Sequence, residues 1–598
     1  MDRRTMIIRT AAAAAVAAST RVPAAAPAAP ATALNTLYDQ FMKENLDLSP
    51  TTVTSLGLDN GARVHQKSEL DDFSLKGIEQ GKRLVTSQRQ RLQALDPATL
   101  SPADRLGYEA VAFSLRATDE ADQAFDFGGG GSAGNPYVIS QLNGAYQMVP
   151  SFLDTEHAIE QKTDADAYLA RLAAFGRAMD QEVEVAHHDV AQGVIPPDFV
   201  LDKAVAQMKA LRATAPAESS LVHSLASRAK EKNLPGDWVG QATAIVRDKV
   251  YPALDRQIAL LEGMRKGAVH DAGVWRLSKG GDYYAASVLN STTSSMSAQD
   301  IHELGLEVVR EHTALIDALM RKQGLTQGTV GARLAGMYKD PKYLYANTDA
   351  AKVELIADLN RRVQRVRAKL PQYFGALPRA NVEIKRVPKE IEAGAPGGYY
   401  NAASLDGKRP GTYWINLRDT AEVPRWTLPT LTYHESIPGH HLQISVQQEA
   451  SLPLIRKTLG FSAYVEGWAL YAEQLAVEMG EYEDDPLGHI GQLHDSMFRG
   501  VRLVVDSGMH ALKWSREKAI QYYVETLGNP VTEATTEVER YCVWPGQACS
   551  YMLGKLKFLA IREQARKSLG SKFDIHKFHD AVLLPGALPL DNMDHLYG

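Results

Sequence analysis

Cysteine is nearly absent: the 598 residues contain two, Cys542 and Cys549. Seven residues apart on a helix, they would stand about 10 Å from each other, beyond the roughly 7 Å between Cα atoms that a disulfide tolerates. Pro545-Gly546 interrupts that stretch, so pairing stays open, but two buried thiols are expected and a cysteine-built metal site is not. Long apolar runs are missing as well. None reaches the roughly 18 residues that a spanning helix needs, so no transmembrane segment is expected. Basic excess is missing too: 65 Lys and Arg stand against 71 Asp and Glu, a net charge of −6. With no basic stripe, nucleic acid is not an expected partner. The glycine-rich run Phe127–Gly134 lacks the Gly-Lys-Ser/Thr ending of a phosphate loop and reads as a flexible linker. Internal repeats are absent. The remaining composition, 45% hydrophobic and 23% charged, is ordinary for a soluble globular chain.

The N-terminus carries a targeting signature. Arg3-Arg4 precedes an alanine-rich stretch, Ala11 to Ala18, and small-residue cleavage sites follow up to about residue 33. This pattern resembles a bacterial twin-arginine export signal, with a Sec signal or an Ala/Pro-rich leader as alternatives. Either export route predicts a periplasmic or extracellular location. Residues 34–598 are then expected as one domain. Most of 34–380 reads as helix. Asp164–Gln192 repeats apolar residues at helical spacing, and Val353–Phe374 adds a charged face that reads as solvated. Strand character is confined to Asn381–Val387 and Thr412–Leu417, with a Gly/Pro/Tyr-rich loop, Gly394–Pro410, between them. A small sheet there could offer its edge to an extended peptide, with Tyr399 and Tyr400 as candidate substrate contacts. The alternative is a plain structural hairpin.

The chemistry concentrates in Tyr433–Leu442. His434-Glu435 followed by further histidines has the grammar of a zinc hydrolase, in which imidazoles hold the metal and the glutamate serves as general base. The usual spacing, His-Glu-x-x-His, is broken here. Pro438 occupies the i+4 position, and the next histidines are His440 and His441. On a regular helix, i+6 lies about 240° round from i, and i+7 lies about 10 Å along the axis. Neither would share a metal with His434. Pro438-Gly439 could mark a two-residue bulge, which would bring His440 rather than His441 to the place of the second ligand. The third ligand is expected to be Glu466, whose helix face is otherwise apolar. Glu473, seven residues on, is the expected partner of a ligating histidine. Arg499, Arg502, Asp506 and His510 form one polar stripe on an apolar helix. That stripe is either solvated or turned into a polar cleft, where the arginines could clamp a substrate carboxylate and His510 could donate to an oxyanion. Ser515 reads as the N-cap of the next helix.

His434-Glu435-x-x-Pro438-Gly439-His440, followed by Glu466-Gly467-Trp468-Ala469-Leu470-Tyr471-x-Glu473, resembles the bacterial domain-of-unknown-function 885 family. Asn135-Pro136-Tyr137, Asp406-Gly407, Arg502–Asp506 and Trp544–Ala548 extend the resemblance over roughly residues 35 to 590. The family is regarded as zinc metallopeptidases and is distantly similar to helical peptidases such as thimet oligopeptidase, carboxypeptidase Taq and angiotensin-converting enzyme. The resemblance implies a mainly α, two-lobed fold with a cleft and a small sheet near the metal helix. It implies Zn²⁺ on His434, His440 and Glu466, Glu435 as general base, and Tyr551, beside His510, as a donor to the oxyanion. It implies short peptides as substrates. The same residues would also serve a zinc hydrolase of another amide or ester, or a non-catalytic periplasmic peptide-binding protein that keeps a degenerate site.

Overall fold

Helix starts along the chain are written in its capping residues. Ser101, Ser297, Thr348 and Asp485 each accept the backbone N–H three positions on, satisfying donors that the first helical turn leaves free. Ser515 caps its helix in the same way, as expected, through the Lys518 N–H. The computed structural model describes residues 30–597 except 131–132, 388, 390–391 and 393–396. Among the described residues it contains twenty-three α-helices and one three-stranded sheet. The fold is mainly α, as expected. None of these helices is long and apolar enough to cross a membrane.

Residues 1–29 of the expected export signal lie outside the described residues. The helix Pro30–Leu48 begins ahead of the boundary expected at residue 33, and buries Leu34, Tyr38, Phe41 and Leu46. Those side chains form a small core with Val53, Leu92 and Val111. A second core gathers Tyr168, Leu172, Met179, Leu225 and Leu254. The largest core is built on the C-terminal half, around Trp426, Tyr433, Trp468 and Tyr471. Cys542 and Cys549 are both buried free thiols there.

Strand β1 (Val382–Arg386) pairs in parallel with β3 (Gly411–Ile415), and β2 (Gly398–Asn401) pairs antiparallel on the other side of β3. β1 and β3 match the expected strands. β2 corrects the expectation of a loop over 394–410: its Tyr399-Tyr400 pair is strand-prone, but the surrounding Gly and Pro mask that signal. The sheet packs on the helix Leu428–Glu435, where a Cβ on Gly398 would already touch Leu431.

Beside the second core, Arg171 ties the N-terminal helices to the helix Lys162–Ala191. Its guanidinium, fully buried, donates to Thr54 Oγ1, to the Gln66 and Glu69 carbonyls and to His157 Nδ1 at 2.8 Å. His157 Nε2–H in turn donates to the Asp164 carbonyl. Burial, with the Arg171 charge adding to it, pushes the His157 pKa down from 6.5 to about 3. The folded state therefore resists a proton that the unfolded chain accepts. This group's contribution to stability is complete above pH 6.5 and is lost progressively as pH falls towards 3. Denaturant titrations at pH 7 and pH 5 should show about 2 kcal/mol less pH-dependent loss in His157→Asn than in the native chain. Equal losses in both would contradict a neutral buried His157.

Candidate metal centre

The helix Leu428–Glu435 ends at Glu435 because the chain leaves helical geometry at Ser436, whose ψ is −116°. Four residues later a second helix, His440–Glu449, begins. The expected two-residue bulge is therefore a correction: the motif spans two helices joined by a tight reversal containing a cis Ile437–Pro438 bond. Backbone hydrogen bonds hold the reversal. The Gly439 N–H donates to the Tyr433 carbonyl at 3.0 Å, and the His441 N–H donates to the Ser436 carbonyl at 3.1 Å. A Cβ on Gly439 would lie 1.9 Å from the His434 carbonyl oxygen and 2.4 Å from that of Tyr433, so only glycine allows this approach.

The reversal sets the His440 ring across from His434, with centroids 4.7 Å apart and planes at 88°. Glu466 arrives on the helix Ser462–Glu478. Its Oε2 lies 3.5 Å from His434 Nε2 and 3.3 Å from His440 Nε2. One ligand atom from each of the three residues lies within 4.8 Å of the others. Tetrahedral zinc with bonds near 2.0–2.1 Å places its ligand atoms about 3.3 Å apart, so the trio suits such an ion. Trp468, two residues beyond Glu466, donates its indole N–H to the Pro438 carbonyl at 2.9 Å. The helix that carries the acid therefore also grips the reversal.

Glu473 meets its expected partner: His434 Nδ1–H donates to Glu473 Oε1 at 2.7 Å, with the carboxyl fully buried. The structure turns His441 away from the trio. It bonds to the Tyr400 hydroxyl at 2.9 Å and to the Ala380 carbonyl at 3.0 Å. Tyr400 is thus engaged in holding the His440–Glu449 helix rather than free for a substrate, and Tyr399 stacks on Trp414. His440 Nδ1 is buried and makes no hydrogen bond.

Glu435 is buried beside the two imidazoles. Burial pushes its carboxyl above the usual carboxylate range, and Glu466 adds to the rise, while His440 and His434 pull against it. Burial also works against a charged His434 ring, yet Glu466 and Glu473 outweigh it and hold His434 well above the histidine range. Below them lies a set of charges that the sequence reading passed over. Asp495 is 3.3 Å from Arg499, and Lys555 donates to Ser496 Oγ. Burial, then the like charge of Asp495, raises the Glu473 carboxyl. Asp495 stands four residues before Arg499, the spacing of a helical ion pair, and that was its available signal.

The helix Pro486–His510 carries the polar stripe, and all four residues are buried. A solvated face is excluded, but the stripe splits. Arg499 and Arg502 lie over the Tyr551 ring, at 4.9 and 4.3 Å from its centroid. Each already pairs with a carboxylate: Arg499 with Asp495, and Arg502 with Glu537 at 2.9 Å. They buttress Tyr551 instead of standing free as a clamp. His510 is the clearest departure from expectation. Its Nδ1 accepts the Val274 N–H, its Nε2 donates to the Tyr541 carbonyl, and its ring stacks on Tyr284. Both nitrogens are used by backbone groups, so His510 has no proton to offer an oxyanion.

Tyr551 does reach the trio. The helix Ser550–Leu569 crosses Ser462–Glu478 in backbone contact, where a Cβ on Gly467 would lie 2.4 Å from the Gly554 Cα. One turn before Gly554, the Tyr551 ring lies 6.5 Å from His434, nearly parallel to it. Its oxygen accepts from Arg540 Nη2 at 3.2 Å and Gln547 Nε2 at 3.4 Å. With two donors on the oxygen, the phenol hydrogen remains available to donate. Arg540 and Gln547 were not predicted; Gln547 lies inside the Trp544–Ala548 motif, which was its only signal.

Over residues 50–596 the chain matches the family described as "Bacterial protein of unknown function (DUF885)". The chain belongs to this family. Among solved structures, it is similar to the "putative lipoprotein" of Colwellia psychrerythraea, with 33% identity and a TM-score of 0.91 over 95% of this chain and 98% of that one. A "putative lipoprotein of unknown function" from Shewanella oneidensis, at 17% identity and a TM-score of 0.69 over 94% and 99%, shares the fold. None of the curated proteins matches the chain.

The reversal can be tested directly. Gly439→Ala should destabilise this DUF885 protein by about 3 kcal/mol or more, the upper range for forced overpacking. Gly81→Ala, in a helix interior where a Cβ meets nothing within 4 Å, should be neutral or stabilising by about 0.5–1 kcal/mol. Denaturant midpoints of the two variants read the difference. Similar midpoints would refute the close approach at Gly439.

Proposed function

We propose that this chain is a zinc-dependent hydrolase that cleaves peptide bonds in short peptides. The observation that carries this reading is the convergence of His434, His440 and Glu466, with buried Glu435 following His434 in the chain and within electrostatic reach of all three. Two imidazoles and one carboxylate are the donor set of hydrolytic zinc sites that keep a position open. His434 has the carboxylate partner that orients such ligands. When bound, zinc supplies Lewis acidity that stabilises negative charge on the attacked carbonyl. The remaining work falls to the chain. Glu435, its proton affinity raised by burial, takes the proton of the attacking water and delivers it to the leaving amine. Tyr551 donates its phenol hydrogen to the developing oxyanion, steadied by Arg540 and Gln547.

An envelope location fits this reading. The Arg3-Arg4 leader supports export, and the similar Colwellia and Shewanella proteins are described as "putative" lipoproteins. The unpartnered His440 Nδ1 favours one rival, a non-catalytic peptide binder with a weakened site, because a ligand histidine without a partner is less basic and less well oriented.

Metal analysis separates the two readings. The purified chain should carry about one zinc, lost in His434→Ala and His440→Ala and kept in His441→Ala. Glu435→Gln should keep its zinc and lose about 10²–10⁴-fold in peptide turnover. No zinc uptake by the native chain, or full turnover in Glu435→Gln, would overturn the mechanism. Tyr551→Phe should lower kcat by about 10²-fold or more, with little change in KM. An equal loss confined to KM would assign Tyr551 to binding instead.

A further inference from the structure

A cavity of about 260 Å³ lies on the Tyr551 side of the trio, and of its lining only Gln547 enters the mechanism. Phe113, Phe461 and Trp544 form its apolar walls, with Asn290, Ser291 and Gln547 among its polar lining. Two links connect it to the site. Ser462, also in its wall, stands one helical turn before Glu466, about 6 Å along the axis. Gln547 donates to the hydroxyl of Tyr551, whose ring faces His434.

Size and chemistry narrow the occupant. An apolar cavity of about 150 Å³ accepts benzene, so this one has room for a phenol or an indole. Its existing rings are set for edge-to-face contact, as Phe113 and Phe461 already meet at 5.8 Å and 79°. Among the described residues, no lining side chain is charged. Behind the wall, Arg540 donates to Gln547 Oε1 at 2.7 Å and lies over the Trp544 ring at 5.5 Å. No carboxylate among the described lining residues is there to pair with a lysine or arginine side chain. Asn290, Ser291 and Gln547 bring polar groups suited to a hydroxyl.

Resting on the peptidase reading, we infer that this cavity receives an aromatic side chain of the substrate, beside the bond to be cut, and makes the enzyme selective for tyrosine or phenylalanine at that position. Residues of an extended peptide advance about 3.3 Å each, so a bond at the trio puts an adjacent side chain within reach of the cavity's Ser462–Gln547 side.

Gly460 lies at the exposed mouth, and a Cβ there meets only Val465 Cγ2 at 3.8 Å. Gly460→Leu therefore fills the entrance without forcing the fold, and Ser114→Leu fills the cavity from the opposite helix, Pro102–Ala124. Binding is read first, on zinc-loaded, full-length Glu435→Gln protein, by calorimetry with the uncleaved pentapeptides Ala-Ala-Tyr-Ala-Ala, Ala-Ala-Lys-Ala-Ala and penta-alanine. The tyrosine peptide should bind at least tenfold tighter than either of the others. Adding Gly460→Leu or Ser114→Leu, in protein whose melting transition is retained, should bring the three within threefold. Cleavage of a mixed peptide library by the native chain should then show aromatic residues flanking the cut bond. Equal binding of the three peptides, or an aromatic preference that survives both filling variants, would overturn the inference. Aromatic-selective binding without any cleavage would instead remove the hydrolase reading and leave the pocket standing.

Discussion

The site depends on backbone passing where no side chain fits. At Gly439 the returning chain runs against the carbonyls of the helix it has just left. That contact converts a broken helical motif into two short helices whose histidines face one another. The same economy recurs at Gly467 and Gly554, where two long helices touch through their backbones. Glu466 directly precedes one of these glycines, and Tyr551 stands one turn before the other. The close crossing brings the acid and the phenol together, and Arg499, Arg502, Arg540 and Gln547 then hold the phenol in place. Close crossing is the geometry that small residues permit and larger ones forbid.

Much of this was legible in the sequence, and the reasons differ by residue. His434, Glu435 and His440 declare themselves through local spacing. Glu466 and Glu473 do so because a carboxylate on an apolar helix face demands a partner. Periodicity correctly gathered Arg499, Arg502, Asp506 and His510 on one stripe, but it reports a face and not what faces it. The partners come from distant chain: Glu537 for Arg502, Tyr284 for Asp506, and the Val274 and Tyr541 backbone for His510. Tyr400 and β2 were hidden for a related reason. Their pairing with His441 and β3 is tertiary, and the glycines and prolines around them carry the local signal of a loop. The helix end at Glu435 was missed because proline and glycine accommodate a bulge and a break equally well.

Beneath the trio the interior holds more charge than hydrophobic burial alone would tolerate. Glu473, Arg499 and Lys555 are withdrawn from water and Asp495 is half-buried beside them, and a lone ion there would be costly. They offset one another as a group. Glu473 faces the His434 imidazole, Asp495 faces the Arg499 guanidinium, and burial, with the like charge of Asp495 added, pushes the Glu473 carboxyl towards its neutral form. Arg502 and Arg540 share Glu537 in the same manner on the Tyr551 side.

The indole bond from Trp468 to the Pro438 carbonyl has a mechanical meaning. The reversal, the two histidines and the acid sit on segments fastened to a single helix, so a displacement of that helix carries the donor atoms together instead of spreading them. A centre fastened this way gives up little conformational freedom when it closes on a ligand. It also keeps its spacing when segments not attached to that helix move. The periphery, whose side chains that helix does not fasten, is then where the structure can change without disturbing the donor atoms.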